Sequence, residues 1–91
     1  MKILHVISSC DPKTGGPIEG IKQFNKIYKK LNIKANIVTN DNPNENFLKK
    51  NNLPKVIATG PIPKIYKLLN NFNPKLYYWL NQNIKNYDYV I

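Results

Sequence analysis

The fold of this chain is decided by its first seventeen residues. They contain an apolar run, KILHVI at residues 2–7, then the polar turn SSCDPKTGG at residues 8–16, and then Pro17. The run is short, apolar and partly β-branched, which predicts a buried strand. Proline suits the first position of a helix, where its missing N–H costs nothing. We therefore predict a strand that passes through a glycine turn into a helix N-terminus, a geometry that attracts anions and above all phosphates.

The helix predicted at residues 17–31 has one apolar face. Its apolar residues recur at spacings of three and four, namely Ile18, Ile21, Phe24, Ile27 and Leu31. Asn32 is a typical helix stop. Gly20 costs about 1 kcal/mol of helix propensity, and we expect it to let the helix approach the first strand closely.

Strands and helices alternate along the rest of the chain. We predict strands at residues 34–39, 56–59 and 89–91, a short helix at 45–51 with Phe47 and Leu48 turned inward, and helices at 63–72 and 74–86. The last helix has an apolar face of Leu76, Tyr77, Leu80 and Ile84. This alternation predicts an α/β fold with a parallel sheet and flanking helices. The short apolar strand at residues 89–91 is expected to leave one sheet edge open.

Composition limits the class of protein. The 91 residues allow one small domain, and a hydrophobic content of 42% is typical of a globular chain. No apolar run approaches the ~20 residues of a membrane span, and no cleavage site for a signal peptide follows the first strand. The single Cys10 fits a reducing compartment. We therefore predict a cytoplasmic protein.

The net charge of +9 comes entirely from lysine, since the chain contains no arginine. Arginine is the preferred residue for bidentate recognition of phosphates and bases. The lysines are also spread over every predicted element. Two interpretations remain: a compositional bias, or a diffuse attraction to nucleic acid or to an anionic membrane surface.

The glycine turn is the best candidate for chemistry. Two adjacent glycines, Gly15 and Gly16, leave bare backbone at the start of a helix, although a tight connection without a ligand is the alternative. Their spacing matches neither G-x-G-x-x-G nor a P-loop, so no nicotinamide or ATP cofactor is predicted. The spacings of His, Cys, Asp and Glu predict no metal site.

Other residues with reactive or aromatic side chains have competing interpretations. His5 is predicted to be packed and hydrogen-bonded, and Cys10 to be incidental. Asp41 ends the second strand, where it would face a ligand crevice or form a turn. The aromatic cluster at residues 77–79, with Tyr66 and Phe72, is interpreted as packing, with a stacking platform for bases as the alternative.

Several segments resemble family 4 glycosyltransferases of the GT-B type. They are MKILHVISS at residues 1–9, Asp11-Pro12, Gly15-Gly16-Pro17, Val38-Thr39-Asn40-Asp41, and residues 76–91 with Trp79-Leu80 and Tyr87-Asp88-Tyr89-Val90-Ile91. The likeness covers essentially the whole chain.

The resemblance implies retaining transfer of a sugar from a nucleotide-sugar donor to a sugar or glycolipid acceptor, in a cleft between two Rossmann-like domains. By position, the backbone of Gly15 and Gly16 would lie against the donor diphosphate. Ser9, Asp11 and Thr14 would contact acceptor or phosphate. The resemblance assigns no catalytic residue, cofactor or metal to this chain. It fits a cytoplasmic protein, including one that associates peripherally with the inner face of the membrane.

Family members run to several hundred residues and hold most donor contacts in a C-terminal domain. Residues 1–91 would then be a truncated, incomplete N-terminal half-domain on the acceptor side, and we expect it to be inactive alone. One alternative is a non-catalytic partner subunit of a split transferase, with Tyr89-Val90-Ile91 pairing with a second chain. A small basic α/β protein that binds nucleic acid is less favoured, because arginine is absent.

Overall fold

The computed structural model describes residues 1–14, 16–49, 53–62, 64 and 73–91. The strands are β1 (Lys2–Val6), β2 (Lys34–Thr39), β3 (Lys55–Ala58) and β4 (Tyr89–Val90). In the described ranges, the longer helices are α1 (Gly16–Lys30) and α2 (Pro74–Asn83), and short 3-10 turns occur at Pro12–Thr14, Asn46–Lys49 and Ile84–Asn86. The helix predicted at residues 63–72 lies outside the described residues apart from Lys64.

The strands form one parallel sheet in the order β3-β2-β1-β4. The predicted α/β class with a parallel sheet is therefore confirmed. The chain moves outward from β1 to β2 and β3, and then returns to place β4 on the other side of β1. The strand order reverses between β1 and β4, which is the point where open α/β sheets usually bind ligands.

The two faces of the sheet carry different elements. His5 is in register with Ile37, and Leu4 with Asn36. His5 contacts Tyr28 of α1, whereas the Asn36 amide donates a 2.7 Å hydrogen bond to the hydroxyl of Tyr87, which follows α2. Because successive side chains of a strand point to opposite faces, α1 and the segment after α2 cover opposite sides of the sheet.

The core lies between α1 and the sheet. It consists of the buried residues Cys10, Ile18, Ile21 and Ile37, with Ile7, Phe47, Leu48, Leu53 and Val56 packed against them. The predicted inward position of Phe47 and Leu48 is therefore confirmed. On the other face, Leu4 and Val38 are fully buried.

The predicted apolar face of α1 is partly wrong. Ile18 and Ile21 are buried as expected, but Asn25 and Tyr28 complete the buried face, whereas Phe24, Ile27 and Leu31 are 52%, 49% and 64% exposed. Tyr28 is buried because its hydroxyl finds a partner in His5. The apolar surface of α1 is thus wider than the part that the sheet covers.

The C-terminus of α1 ends as predicted at Asn32. This residue adopts a positive φ of 57°. The N–H of Ile33 donates to the carbonyl of Tyr28 at 2.9 Å, and that of Asn32 to Lys29 at 3.4 Å. These two bonds define a Schellman motif, in which a left-handed residue satisfies the last helix carbonyls.

Helix α2 differs from its predicted packing. Pro74 begins it and the Asn73 side chain caps it, but the helix buries none of its residues. Tyr77 and Ile84, on the predicted apolar face, are 61% and 46% exposed. The spacing of apolar residues on α2 therefore predicts a face but not its burial.

Strand β4 forms one edge of the sheet. It pairs with β1, and the N–H of Ile91 extends the pairing with a 2.8 Å bond to the carbonyl of Leu4. Among the described residues no strand pairs with its other side. Tyr89, Val90 and Ile91 are exposed, so the open apolar edge predicted from sequence is confirmed.

Candidate functional site at the carboxyl edge of the sheet

Hydrogen bonds to Asp41 connect the loop after β1 to the end of β2. Its carboxylate accepts a hydrogen bond of 2.5 Å from the Ser9 hydroxyl and one of 2.8 Å from the Cys10 N–H. Its own N–H donates to the Thr39 hydroxyl at 3.1 Å. Asp41 is buried, so these bonds replace the water it has lost. The structure thus shows Asp41 bonded to the loop after β1, and its predicted position facing a ligand crevice stays a prediction.

The same loop is shaped by local bonds from its own side chains. The Asp11 N–H donates to the Ser9 hydroxyl at 3.0 Å, and the Lys13 N–H donates to the Asp11 carboxylate at 2.9 Å. Such side-chain-to-backbone bonds favour a turn over an extended chain. They lead into the 3-10 turn Pro12–Thr14 and from there to the start of α1 at Gly16.

The predicted anion-binding residues are therefore gathered in one connection. Ser9 and Asp11 lie in the loop, Thr14 ends the 3-10 turn, and Gly16 begins α1. Gly15 lies outside the described residues. The hydroxyl of Ser9 is already bonded to Asp41 and to the backbone of Asp11. Its described bonds are structural, and contact of these residues with a ligand remains a prediction.

A second set of polar groups continues along this edge of the sheet. The Asn73 amide donates to the Asn40 side chain at 2.7 Å and to the Gly60 carbonyl at 3.2 Å, while its oxygen accepts from the Lys75 N–H. The Gly60 N–H donates to the Asp41 carbonyl at 3.0 Å. Asn73 thus joins the ends of β2 and β3 to the start of α2. The sequence indicated Asn73 only as a helix cap, because its remote partners leave no local signal.

His5 is packed and hydrogen-bonded, as predicted, and Cys10, which was expected to be incidental, is a residue of the buried core. The His5 Nε2 lies 2.8 Å from the Tyr28 hydroxyl, and burial lowers the pKa of His5. Burial, together with the nearby charge of Asp41, raises the pKa of the Cys10 thiol to about 12. A thiol that stays protonated at neutral pH is a poor nucleophile. Covalent catalysis by Cys10 is therefore not supported.

An apolar groove of about 580 Å³ lies between α1 and the strands β1 and β4. Its lining includes His5, Pro17, Gly20, Phe24 and Ile91. A Cβ added at Gly20 would meet nothing within 4 Å. The predicted role of Gly20 in a close approach of helix and strand is therefore wrong, and the missing side chain instead widens the groove.

The described residues contain no group of three His, Cys, Asp or Glu side chains that could hold a metal ion. Within the same part of the chain, no helix has the length and apolar character needed to cross a membrane. Comparison with protein-family models, with curated proteins and with solved structures found no match. The geometry of the carboxyl edge is therefore the basis for the functional proposal.

Proposed function

We propose that the chain forms the acceptor-side N-terminal part of a GT-B glycosyltransferase of family 4. The observation that carries the proposal is the position of the polar loop. The loop leaves β1 at its carboxyl end, next to the reversal of strand order between β1 and β4, and leads directly into the N-terminus of α1. This is the location at which open parallel sheets bind nucleotides and sugars.

The start of α1 is suited to an anionic group such as the diphosphate of a nucleotide-sugar. The first N–H groups of a helix lack partners within the helix, and the helix dipole makes them attractive to anions. In sugar transfer the leaving diphosphate gains negative charge, so donors fixed in advance lower the barrier. The hydrogen bonds that the Asp41 carboxylate accepts from Ser9 and Cys10 hold the loop in place before any ligand arrives.

The resemblance assigns most donor contacts to a C-terminal domain. Residues 1–91 would then supply the diphosphate contact at Gly15 and Gly16 and one wall of the acceptor crevice. We expect the 91-residue chain by itself to have no transferase activity, because two backbone N–H groups alone cannot stabilise the leaving group.

Binding of a diphosphate tests this proposal. We would titrate ¹⁵N-labelled protein with inorganic pyrophosphate and with UDP-glucose, and follow backbone amide shifts. We expect shifts at residues 9–18 and none at residues 31–34, which lie at the opposite end of α1. The Gly16→Val variant should weaken binding at least fivefold, while Gly20→Ala, one turn further along the helix, serves as the matched control. Shifts confined to other residues at millimolar ligand would refute the proposal.

A second candidate function is a partner subunit of a split transferase. The exposed edge of β4 favours it, because unpaired strand edges readily accept another strand. Residues Tyr89, Val90 and Ile91 are 59%, 43% and 67% exposed. Co-expression with a chain that carries a C-terminal GT-B domain should give a complex. Val90→Lys should disrupt that complex, whereas Tyr77→Lys, at an exposed site on α2 away from the strand edge, should not.

A further inference from the structure

A groove of about 520 Å³ lies on the other face of the molecule, between β3 and α2. Ile57 and Ala58 of β3 form one wall, and Pro74 and Trp79 of α2 form the opposite wall. This volume falls within the range of sites for small molecules, which combine apolar walls with a few polar groups. The groove is separate from the loop after β1, since no residue of that loop contributes to its lining.

The helix side of the groove presents three kinds of chemistry on successive turns. Lys75 comes first, Tyr78 and Trp79 follow one turn later, and Gln82 is one turn beyond them. Residues at these spacings share one face of a helix. Over about 10 Å of helix, the groove therefore offers a cation, an aromatic surface and a side-chain amide.

The aromatic residues are only partly used for packing. Trp79 is half-buried, with its ring centroid 6.4 Å from that of Tyr87. Tyr78 is 68% exposed. The interpretation of residues 77–79 as a packed cluster thus holds for Trp79 but not for Tyr78, and the alternative of a stacking surface gains support.

The Lys75 side chain extends across Gly60 at the upper end of the groove. A Cβ at Gly60 would lie 3.3 Å from the Lys75 Nζ. The ion pair found among the described residues is Lys22–Glu19, so the Lys75 ammonium has no carboxylate partner there. It is available to an anionic group that enters the groove.

We propose that this groove binds a flat aromatic ring that carries an anionic group, in the size class of a nucleoside monophosphate. The ring stacks on Tyr78 and Trp79, the anionic group meets the Lys75 ammonium, and the Gln82 amide reaches the ring edge. Stacking of a base on an aromatic side chain tolerates any base. This site goes beyond the proposed transferase function and does not depend on it.

The chain contains a built-in reporter for this site, because Trp79 is its only tryptophan. We would titrate the full chain with AMP, adenosine and inorganic phosphate, and record Trp79 fluorescence. AMP should quench the fluorescence with saturation. Adenosine should bind about threefold to tenfold more weakly, because it lacks the anion, and phosphate alone should cause little change.

Two matched pairs of variants locate the ligand. Tyr78→Ala should weaken AMP binding about tenfold, whereas Tyr77→Ala, next to it on α2 but outside the groove, should not. Lys75→Gln should reduce the affinity for AMP to that for adenosine, while Lys85→Gln should leave it unchanged. Circular dichroism would establish that each variant is folded. The proposal fails if AMP does not change the fluorescence up to ~10 mM, or if both members of a pair lose affinity equally.

Discussion

Replacement of Gly20 by alanine should stabilise the protein. Gly20 lies inside α1, where glycine costs about 0.8–1.0 kcal/mol relative to alanine through backbone entropy. The added Cβ would project into the groove and meet nothing within 4 Å, so it introduces neither a clash nor a new contact. The expected gain in the free energy of unfolding is therefore about 1 kcal/mol.

Gly60→Ala is the matched control, since it makes the same chemical change in a different backbone conformation. Gly60 has a φ of +102°, which alanine adopts only with strain of about 1–3 kcal/mol. Its Cβ would also approach the Lys75 Nζ to 3.3 Å, although that flexible side chain can move aside. The two variants should therefore differ by roughly 2–4 kcal/mol, with opposite signs.

Urea denaturation followed by circular dichroism measures both effects. A gain of 1 kcal/mol also corresponds to an increase of about 4–8 °C in Tm for a domain of this size. The reasoning would be refuted if Gly20→Ala lowered the stability, because that would mean that the position is crowded. It would equally be refuted if Gly60→Ala were neutral.

Four further predictions concern the loop, the helix end and two buried groups. Asp41→Ala should lower the free energy of unfolding by about 3 kcal/mol, because it leaves the Cys10 N–H and the Ser9 hydroxyl without their charged acceptor. Urea denaturation measures this loss, and Asn42→Ala, at an exposed neighbouring residue, is the control. Asn32→Ala should lower stability by about 1 kcal/mol in thermal melts, and Asn32→Gly should not, because only glycine adopts the left-handed conformation without cost. The pKa of Cys10 is raised to about 12, so its thiol should react with iodoacetamide at pH 8 only when the protein unfolds. The labelling rate should therefore increase with urea concentration, and a rate that does not depend on urea would contradict this. Burial lowers the pKa of His5, so the unfolded chain binds a proton at this residue more tightly than the folded chain does. The free energy of unfolding should therefore fall as the pH decreases below about 6.5. The His5→Leu variant should lack this part of the pH dependence.

The order of elements could be predicted because its signals are local. The apolar run at residues 2–7, Pro17 and Pro74 at helix starts, and Asn32 at a helix end each act within a few residues. The observed strands and helices therefore lie close to the predicted ones. Parallel pairing followed from the alternation of strands with helices.

The buried face of α1 could not be fully predicted, for a physical reason. Asn25 and Tyr28 have polar groups, and a pattern of apolar residues assigns them to solvent. Burial of Tyr28 requires the His5 side chain opposite its hydroxyl, a contact between residues far apart in sequence. The spacing of Phe24, Ile27 and Leu31 predicts that they are buried, because spacing alone does not reveal how wide a face the sheet covers.

The sequence predicts where the candidate site lies, but not the hydrogen bonds that hold its residues together. The glycine turn indicated the N-terminus of α1 from sequence alone. The partnership of Asp41 with Ser9, which are 32 residues apart, depends on the parallel register of β1 and β2. The sequence leaves two interpretations of Asp41 open, because a carboxylate at the end of a strand is equally suited to face a ligand crevice and to form a turn.

The hydrogen bonds of Asp41 and Asn73 link the connections that follow β1, β2 and β3. Because these bonds tie the three connections together, we expect them to open to solvent as one cooperative unit. The amide protons of Cys10 and Gly60 should therefore exchange with deuterium at similar rates, although they lie in separate loops. A ligand that slows exchange at the first loop should also slow it at the other two, so that binding at the start of α1 stabilises the start of α2 without a change in the average structure.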